Sequence, residues 1–140
     1  IIGDGDQKKN LINFVNENNL NKIVKIKDRI ENPFPYILKA QIMILSSRFE
    51  GLPNVLLEGL ALKKFIISTD CPTGPKEILD NGKGGFLFKV GNYLELSKKI
   101  LLFNQNYNLF LKKRKYSIKR LKRFDHEKNL NEYFNLFNKF

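Results

Sequence analysis

The chain is 140 residues long, 42% apolar, and carries a formal charge of +11. That length suits one domain and that apolar share suits a packed core, which excludes an intrinsically disordered chain. No apolar run reaches the ~18 residues of a membrane span, no basic-then-apolar leader opens the sequence, and the single cysteine, Cys71, rules out an internal disulfide, so the cytoplasm is the expected compartment.

Taken in order, the sequence alternates short apolar runs with longer helical patterns. Ile1 and Ile2 read as the end of a strand that stops at Gly3-Asp4-Gly5-Asp6. Leu11, Ile12, Phe14 and Val15 then recur at helical spacing, and residues 23–26 supply a second strand, completing a β-α-β unit. A short helix is predicted over 33–40, a strand over 42–45, a helix over 54–62 with Pro53 in its first turn, and a strand over 65–68. A short helix over 75–79 and a last strand over 85–90 follow, and from Tyr93 onward the pattern is all helix, over 94–103, 109–123 and 126–140.

Strands separated by helices in this rhythm predict an α/β fold, a Rossmann-like parallel sheet with helices on both faces and a helical carboxyl-terminal tail. In such sheets ligands meet the carboxyl ends of the strands. A buried parallel strand normally runs about five residues, yet only Ile1 and Ile2 precede the glycine turn and no methionine opens the chain. We therefore expect residues 1–140 to be a single domain of a longer protein.

The most informative stretch is Ser46-Ser47-Arg48-Phe49-Glu50-Gly51-Leu52-Pro53-Asn54-Val55-Leu56-Leu57-Glu58-Gly59-Leu60-Ala61. Glu50 falls in a strand-to-helix loop, and Glu58 lies four residues after Asn54, on the same helix face near the positive end of the helix dipole. Gly51 would let backbone amides approach a ligand closely. An anionic ligand suits that helix start, with a carboxylate at each end to accept hydroxyl hydrogen bonds. The helix is apolar nearly all round, so Glu58 is expected to need a partner, because burying an unpaired carboxylate is costly.

Much of the positive charge concentrates in Lys112, Lys113, Arg114, Lys115, Lys119, Arg120, Lys122 and Arg123, interleaved at helical spacing with Leu109, Phe110, Ile118 and Leu121. This amphipathic basic helix reads either as a solvated face or as a surface for anionic membrane or acceptor phosphate. No nucleic-acid-binding motif accompanies it, so nucleic acid is not an expected partner. Gly3-Asp4-Gly5 resembles half of a dinucleotide fingerprint, but Lys8 stands at the third glycine position and NAD binding is not expected. Asp4 and Asp6 are ordinary partners of a helix amino terminus rather than metal ligands, and the only histidine, His126, leaves no zinc cluster or histidine base.

Gly3-Asp4-Gly5, Ser46-Ser47-Arg48-Phe49-Glu50-Gly51-Leu52-Pro53, Leu57-Glu58-Gly59-Leu60-Ala61, Ile67-Ser68-Thr69-Asp70-Cys71-Pro72-Thr73-Gly74-Pro75-Lys76-Glu77-Ile78-Leu79 and Gly84-Gly85-Phe86-Leu87-Phe88 follow in order along nearly the whole chain. Together they resemble the donor-binding, carboxyl-terminal domain of retaining GT-B glycosyltransferases of group 1, family 4, of the bacterial surface-polysaccharide type.

The resemblance implies a UDP-sugar or GDP-sugar donor and transfer of a hexose or N-acetylhexosamine to a glycan or lipid-linked acceptor, without a metal or other cofactor. It implies that Glu50, as the catalytic-site carboxylate, contacts donor-sugar hydroxyls with Thr73 and Gly74 nearby. Glu58 would hold the ribose, backbone amides around Gly51, Leu52, Asn54 and Val55 would face the diphosphate, and Lys27, Asp28 and Arg29 would sit against the base. It also implies an amino-terminal acceptor-binding domain and a diphosphate clamp outside these residues, so the chain alone is expected to bind nucleotide weakly and transfer no sugar. A last helix carrying Leu130, Tyr133, Phe134, Phe137 and Phe140 resembles the segment that packs against that other domain. Two other functions share parts of the pattern: a GT-B-like nucleotide-sugar epimerase, and a basic membrane-surface module without chemistry, peripheral at the inner face of the cell membrane.

Overall fold

A computed structural model describes residues 1–138, which fall into two compact units, Ile1–Tyr36 and a second that begins at Ile37. In the first, helix α1 (Lys8–Glu17) buries Val15. The expected amino-terminal strand pair is reduced to one parallel bridge between Ile2 and Lys27, with the Lys27 amide donating to the Ile1 carbonyl (2.9 Å) and the Gly3 amide to the Lys27 carbonyl (3.1 Å). The strand predicted over 23–26 is not formed. The Leu20 and Val24 amides are taken by the Val15 and Leu20 carbonyls, both at 2.8 Å, closing turns that leave Ile23 78% exposed.

Helix α2 (Phe34–Lys39) leads into a parallel sheet in the order β1 (Ile42–Leu45), β2 (Phe65–Thr69), β3 (Phe86–Phe88). Ile42 pairs with Phe65 and Ile67 with Phe86. Helices α3 (Asn54–Ala61) and α4 (Pro75–Ile78) make the crossovers, and α5 (Tyr93–Gln105), α6 (Tyr107–Arg120), a 3-10 turn (Leu121–Phe124) and α7 (His126–Phe137) complete the chain. The last strand is shorter than predicted. The Glu95 carboxylate accepts the Lys89 amide at 3.0 Å, which draws the chain out of the ladder into α5.

Alternation along β2 explains why every residue in it is buried. Ile66 faces Leu56, Leu60, Ile78 and Leu79 from α3 and the α4 region, with Leu121 and Phe124 packed beside them. Phe65 and Ile67 face Phe86, Phe88 and Phe110, covered by Leu96, Ile100 and Phe103 of α5. Helix α6 thus begins in the core of one face, and the turn that follows it ends in the core of the other. Between them Ser117 packs against Gly84, where a side chain on the glycine would lie 2.7 Å from the Ser117 Cβ. Gly59 lets α3 settle on the sheet in the same way, since an added Cβ there would stand 2.6 Å from the Met43 sulfur and 2.9 Å from Ile66 Cδ1.

The basic segment is therefore not a uniform solvated face. Lys113 Nζ donates to the Gly82 carbonyl, and Arg123 donates to the carbonyls of Glu77 (3.2 Å) and Ile78 (3.4 Å) at the end of α4. Burial, then the neighbouring Lys99 charge, push the Lys113 ammonium below its usual pKa. Lys112, Lys115, Lys119 and Lys122 remain exposed, at spacings that put them on one side of the helix. Among the described residues no helix is long and apolar enough to cross a membrane.

The Tyr116 hydroxyl donates to Asp80 Oδ2, and Lys83 (3.8 Å) and Arg120 (3.9 Å) approach the same carboxylate. The Tyr116 hydrogen bond, aided by Lys83, Arg120 and Arg123, holds the Asp80 carboxyl below its ordinary pKa, and the same bond raises that of the Tyr116 phenol. A depressed carboxylate contributes stability above its unfolded pKa, 3.8, and loses it as pH falls through the folded value. A raised phenol contributes below about 10 and loses that contribution as pH climbs past it. The melting-temperature gap between wild type and Tyr116→Phe should therefore be widest near neutral pH and narrow below about pH 4. A gap that stays constant into acid would show that the carboxylate's charge does not stabilise the fold.

Candidate functional site

The loop after β1 and the loop after β2 meet at the carboxyl ends of adjacent parallel strands. Residues 46–53 carry the chain from β1 into α3, and Pro53 stands at the N-cap with extended backbone (φ −71°, ψ 99°), one position earlier than predicted, without a side-chain capping bond. The amides of Asn54 and Val55 lie in the first turn, where no helical carbonyl stands behind them. The dipole of α3 adds partial positive charge at the same point.

Glu50 precedes this turn and Glu58 follows it, and both are half-buried. Among the described residues neither carboxylate forms an ion pair, and buried side-chain polar atoms left without a partner are absent. The partner expected for Glu58 is thus not supplied by a protein cation. Two half-exposed acceptors flank a short run of backbone donors, an arrangement suited to a ligand with hydroxyls at both ends and negative charge in the middle.

The second loop grips the first. Thr69 at the end of β2, 1% exposed, donates to the Ser47 carbonyl at 2.7 Å. Thr73 Oγ1 donates to the Glu50 carbonyl, and the Cys71 thiol donates to the Thr73 carbonyl at 3.8 Å. Gly74 holds φ at +77° and packs against the Gly51 carbonyl and, at 2.5 Å from a would-be Cβ, against Pro53 Cδ. The conformational demand falls on Gly74. Gly51 has no such backbone angle, and a side chain there would meet nothing within 4 Å, so its openness is available only to something outside the chain.

The structure thus gathers Glu50, Gly51, Leu52, Asn54, Val55, Glu58, Thr73 and Gly74 around one pair of loops. Lys27, Asp28 and Arg29 belong to the first unit. There Lys8 pairs with Asp28, and Lys27 Nζ stands 5.5 Å from the centroid of the Tyr36 ring. Thr69 is a part of the loop junction that the motifs did not single out for it, while Cys71 is the loop thiol beside the site that the sequence suggests. The signal for Thr69 was a hydroxyl just after the apolar run Phe65–Ile67, which burial obliges to find an acceptor. Beside Leu52 an open groove of about 610 Å³ runs past Glu77, Arg123 and Phe124 to Glu132, Tyr133 and Leu136 of α7. Leu130, Tyr133, Phe134 and Phe137 are exposed, as the apolar stripe implied, while Phe140 lies outside the described residues.

Residues 1–124 match the family of glycosyl transferases group 1. The chain belongs to this family. It is 43% identical over 79 residues to an uncharacterized glycosyltransferase of Methanocaldococcus jannaschii, covering 56% of the chain and 20% of that protein. It is 34% identical over 92 residues to the N-acetylgalactosamine-N,N'-diacetylbacillosaminyl-diphospho-undecaprenol 4-alpha-N-acetylgalactosaminyltransferase of Campylobacter jejuni, covering 66% of the chain and 25% of that enzyme. The crystal structure of Staphylococcus aureus TarM superposes with a TM-score of 0.85 at 23% identity over 99% of the chain and 28% of TarM. At that identity the likeness establishes the fold, the carboxyl-terminal half of a GT-B architecture, as the sequence motifs implied. The chain spans between a fifth and a third of the length of these relatives.

Proposed function

We propose that this chain is the donor-binding domain of a retaining glycosyltransferase that moves a hexose or N-acetylhexosamine from a UDP- or GDP-sugar to a glycan or lipid-linked acceptor in surface-glycan synthesis. The observation that carries the reading is the pair of half-buried carboxylates, Glu50 and Glu58, on either side of the α3 amino terminus, neither with an ion-pair partner among the described residues. Group 1 family membership supports it, as do the Campylobacter jejuni relative, named for transfer onto a diphospho-undecaprenol substrate, and TarM, solved in complex with UDP.

In this reading Glu50 accepts hydrogen bonds from hydroxyls of the donor sugar and Glu58 from those of the ribose. The amides of Gly51, Leu52, Asn54 and Val55 face the diphosphate. Such a site works by holding the donor in a reactive pose and offsetting charge on the departing diphosphate. A helix terminus supplies about 0.3–1 kcal/mol of this, and the family resemblance implies that the main diphosphate cations and the acceptor-binding groups come from outside these residues.

Isothermal titration of the chain with UDP, GDP and their hexose conjugates is the direct test. Binding of one nucleotide series is the expected result. No heat with either series, at concentrations where a simple phosphate also gives none, would overturn the donor reading.

A second partner follows from the four exposed lysines on the outer side of α6 and the turn after it. Between Glu95 and Asp125 the chain holds no Asp or Glu to offset them. Each lysine near an anionic bilayer gains about 1 kcal/mol, enough together for peripheral attachment at low salt. Vesicles containing anionic lipid should float the chain at low ionic strength and release it at high salt. Absence of flotation at low salt would mean the lysines serve only to solvate the helix.

A further inference from the structure

We propose that Thr73 and Gly74 are positioning residues for Glu50 rather than direct sugar ligands, an inference that rests on the donor-site reading above and deepens it. The one donor of the Thr73 hydroxyl is already committed to the backbone carbonyl of Glu50 itself, so it has no proton to give a sugar hydroxyl. Gly74 is buried, and its α-carbon abuts the next carbonyl along, that of Gly51, so tightly that any side chain would displace it. The Thr69 bond to the Ser47 carbonyl fixes the same loop at its other end. The β2–α4 loop therefore holds the loop containing Glu50 by three successive contacts, at residues 47, 50 and 51.

These contacts matter because, among the described residues, the Glu50 carboxylate has no side-chain partner to orient it. A loop residue of this kind is placed by its backbone alone, and displacement by about an ångström is enough to cost a reacting group most of its effect. Glu58 is held differently, by the hydrogen-bonded frame of α3 and the core beneath it. Loosening the β2–α4 loop should thus disturb the sugar end of the site and spare the nucleotide end.

Substituting Thr73→Val removes the donor with little change in volume, and Thr73→Ser restores a hydroxyl. The probes are UDP, UDP-glucose, UDP-GlcNAc and the corresponding GDP compounds, titrated calorimetrically into the chain. Expected for Thr73→Val are an unchanged affinity for the bare nucleotide and a loss of roughly tenfold or more in the extra affinity conferred by the sugar, with Thr73→Ser close to wild type and no further loss from Thr73→Val in a Glu50→Ala background, where a direct sugar ligand would still cost affinity. A Thr73→Val protein with the wild-type ratio of sugar-nucleotide to nucleotide affinity would overturn the positioning role while leaving the donor site standing. Equal losses for nucleotide and sugar-nucleotide would overturn it too, since that is general damage to the loop. Wild type that binds none of the six probes would remove the donor site, and this inference with it.

Discussion

Phe110→Ala should destabilise the domain by about 3–5 kcal/mol, a large fraction of the ~5–15 kcal/mol that holds a typical domain together. Phe110 is 3% exposed and stands where α6 enters the sheet. Its ring meets Phe65 edge-on at 4.6 Å, Phe103 at 4.7 Å and Phe86 at 5.3 Å. Truncation leaves a cavity among three other rings that cannot easily collapse, and it forfeits aromatic pairings worth about 0.5–1.5 kcal/mol each. The exposed Phe134 of α7 is the control, because Phe134→Ala removes the same atoms from a side chain that is already 58% exposed and should change stability by less than ~0.5 kcal/mol. Denaturant unfolding followed by circular dichroism compares them, and similar midpoints would place the stabilising aromatic core elsewhere.

Glu58→Ala should weaken binding of both the bare nucleotide and its sugar conjugate, by about 10- to 100-fold, whereas Glu50→Ala should weaken only the conjugate. The magnitude follows from hydrogen bonds to a charged acceptor, each about 1.5–3 kcal/mol. The asymmetry follows from position: Glu58 is on α3 beyond the helix start, and Glu50 lies before it, so a ligand whose diphosphate faces the amides of Asn54 and Val55 has its two ends at different carboxylates. Neither substitution should lower stability much, because among the described residues neither side chain has a hydrogen bond or ion pair to lose. Calorimetry on the two variants reads the asymmetry directly. Equal binding of UDP or GDP by wild type and Glu58→Ala would eliminate the ribose role.

The central sheet was legible in the sequence because its residues are uncompromising. Ile42 to Leu45 and Phe65 to Ile67 are apolar runs of strand length, the interval between them fits one helix, and the second run lies in a strand buried throughout, while Ile44 of the first stays exposed. The amino-terminal β-α-β unit was misread for the opposite reason. Ile23, Val24 and Ile26 have strand-forming side chains, but the Ile23 and Val24 amides are both claimed by the Leu20 carbonyl in the turn after α1, and apolar content says nothing about that competition.

The candidate site divides along the same line. Glu50 and Glu58 were visible because carboxylates beside an apolar helix are locally anomalous. The grip of Thr73 on the Glu50 carbonyl and the contact of Gly74 with Gly51 join residues more than twenty positions apart, and no periodicity encodes them. In the basic segment, composition showed eight cations but not which carbonyls the fold would offer. Lys113 and Arg123 meet the carbonyls of Gly82, Glu77 and Ile78 because α6 passes that loop, and this is a property of the assembled sheet.

Because the chain is strongly basic, a nucleotide sugar has two places to bind: the loops around Glu50 and the lysine side of α6. Amide chemical-shift mapping of the isotope-labelled chain during titration with the best-binding nucleotide sugar distinguishes them residue by residue. The donor-site account predicts saturable shifts centred on Gly51, Leu52, Asn54, Val55 and Glu58, with Glu58→Ala reducing them. Shifts centred instead on Lys112, Lys115, Lys119 and Lys122, and erased by salt, would contradict it.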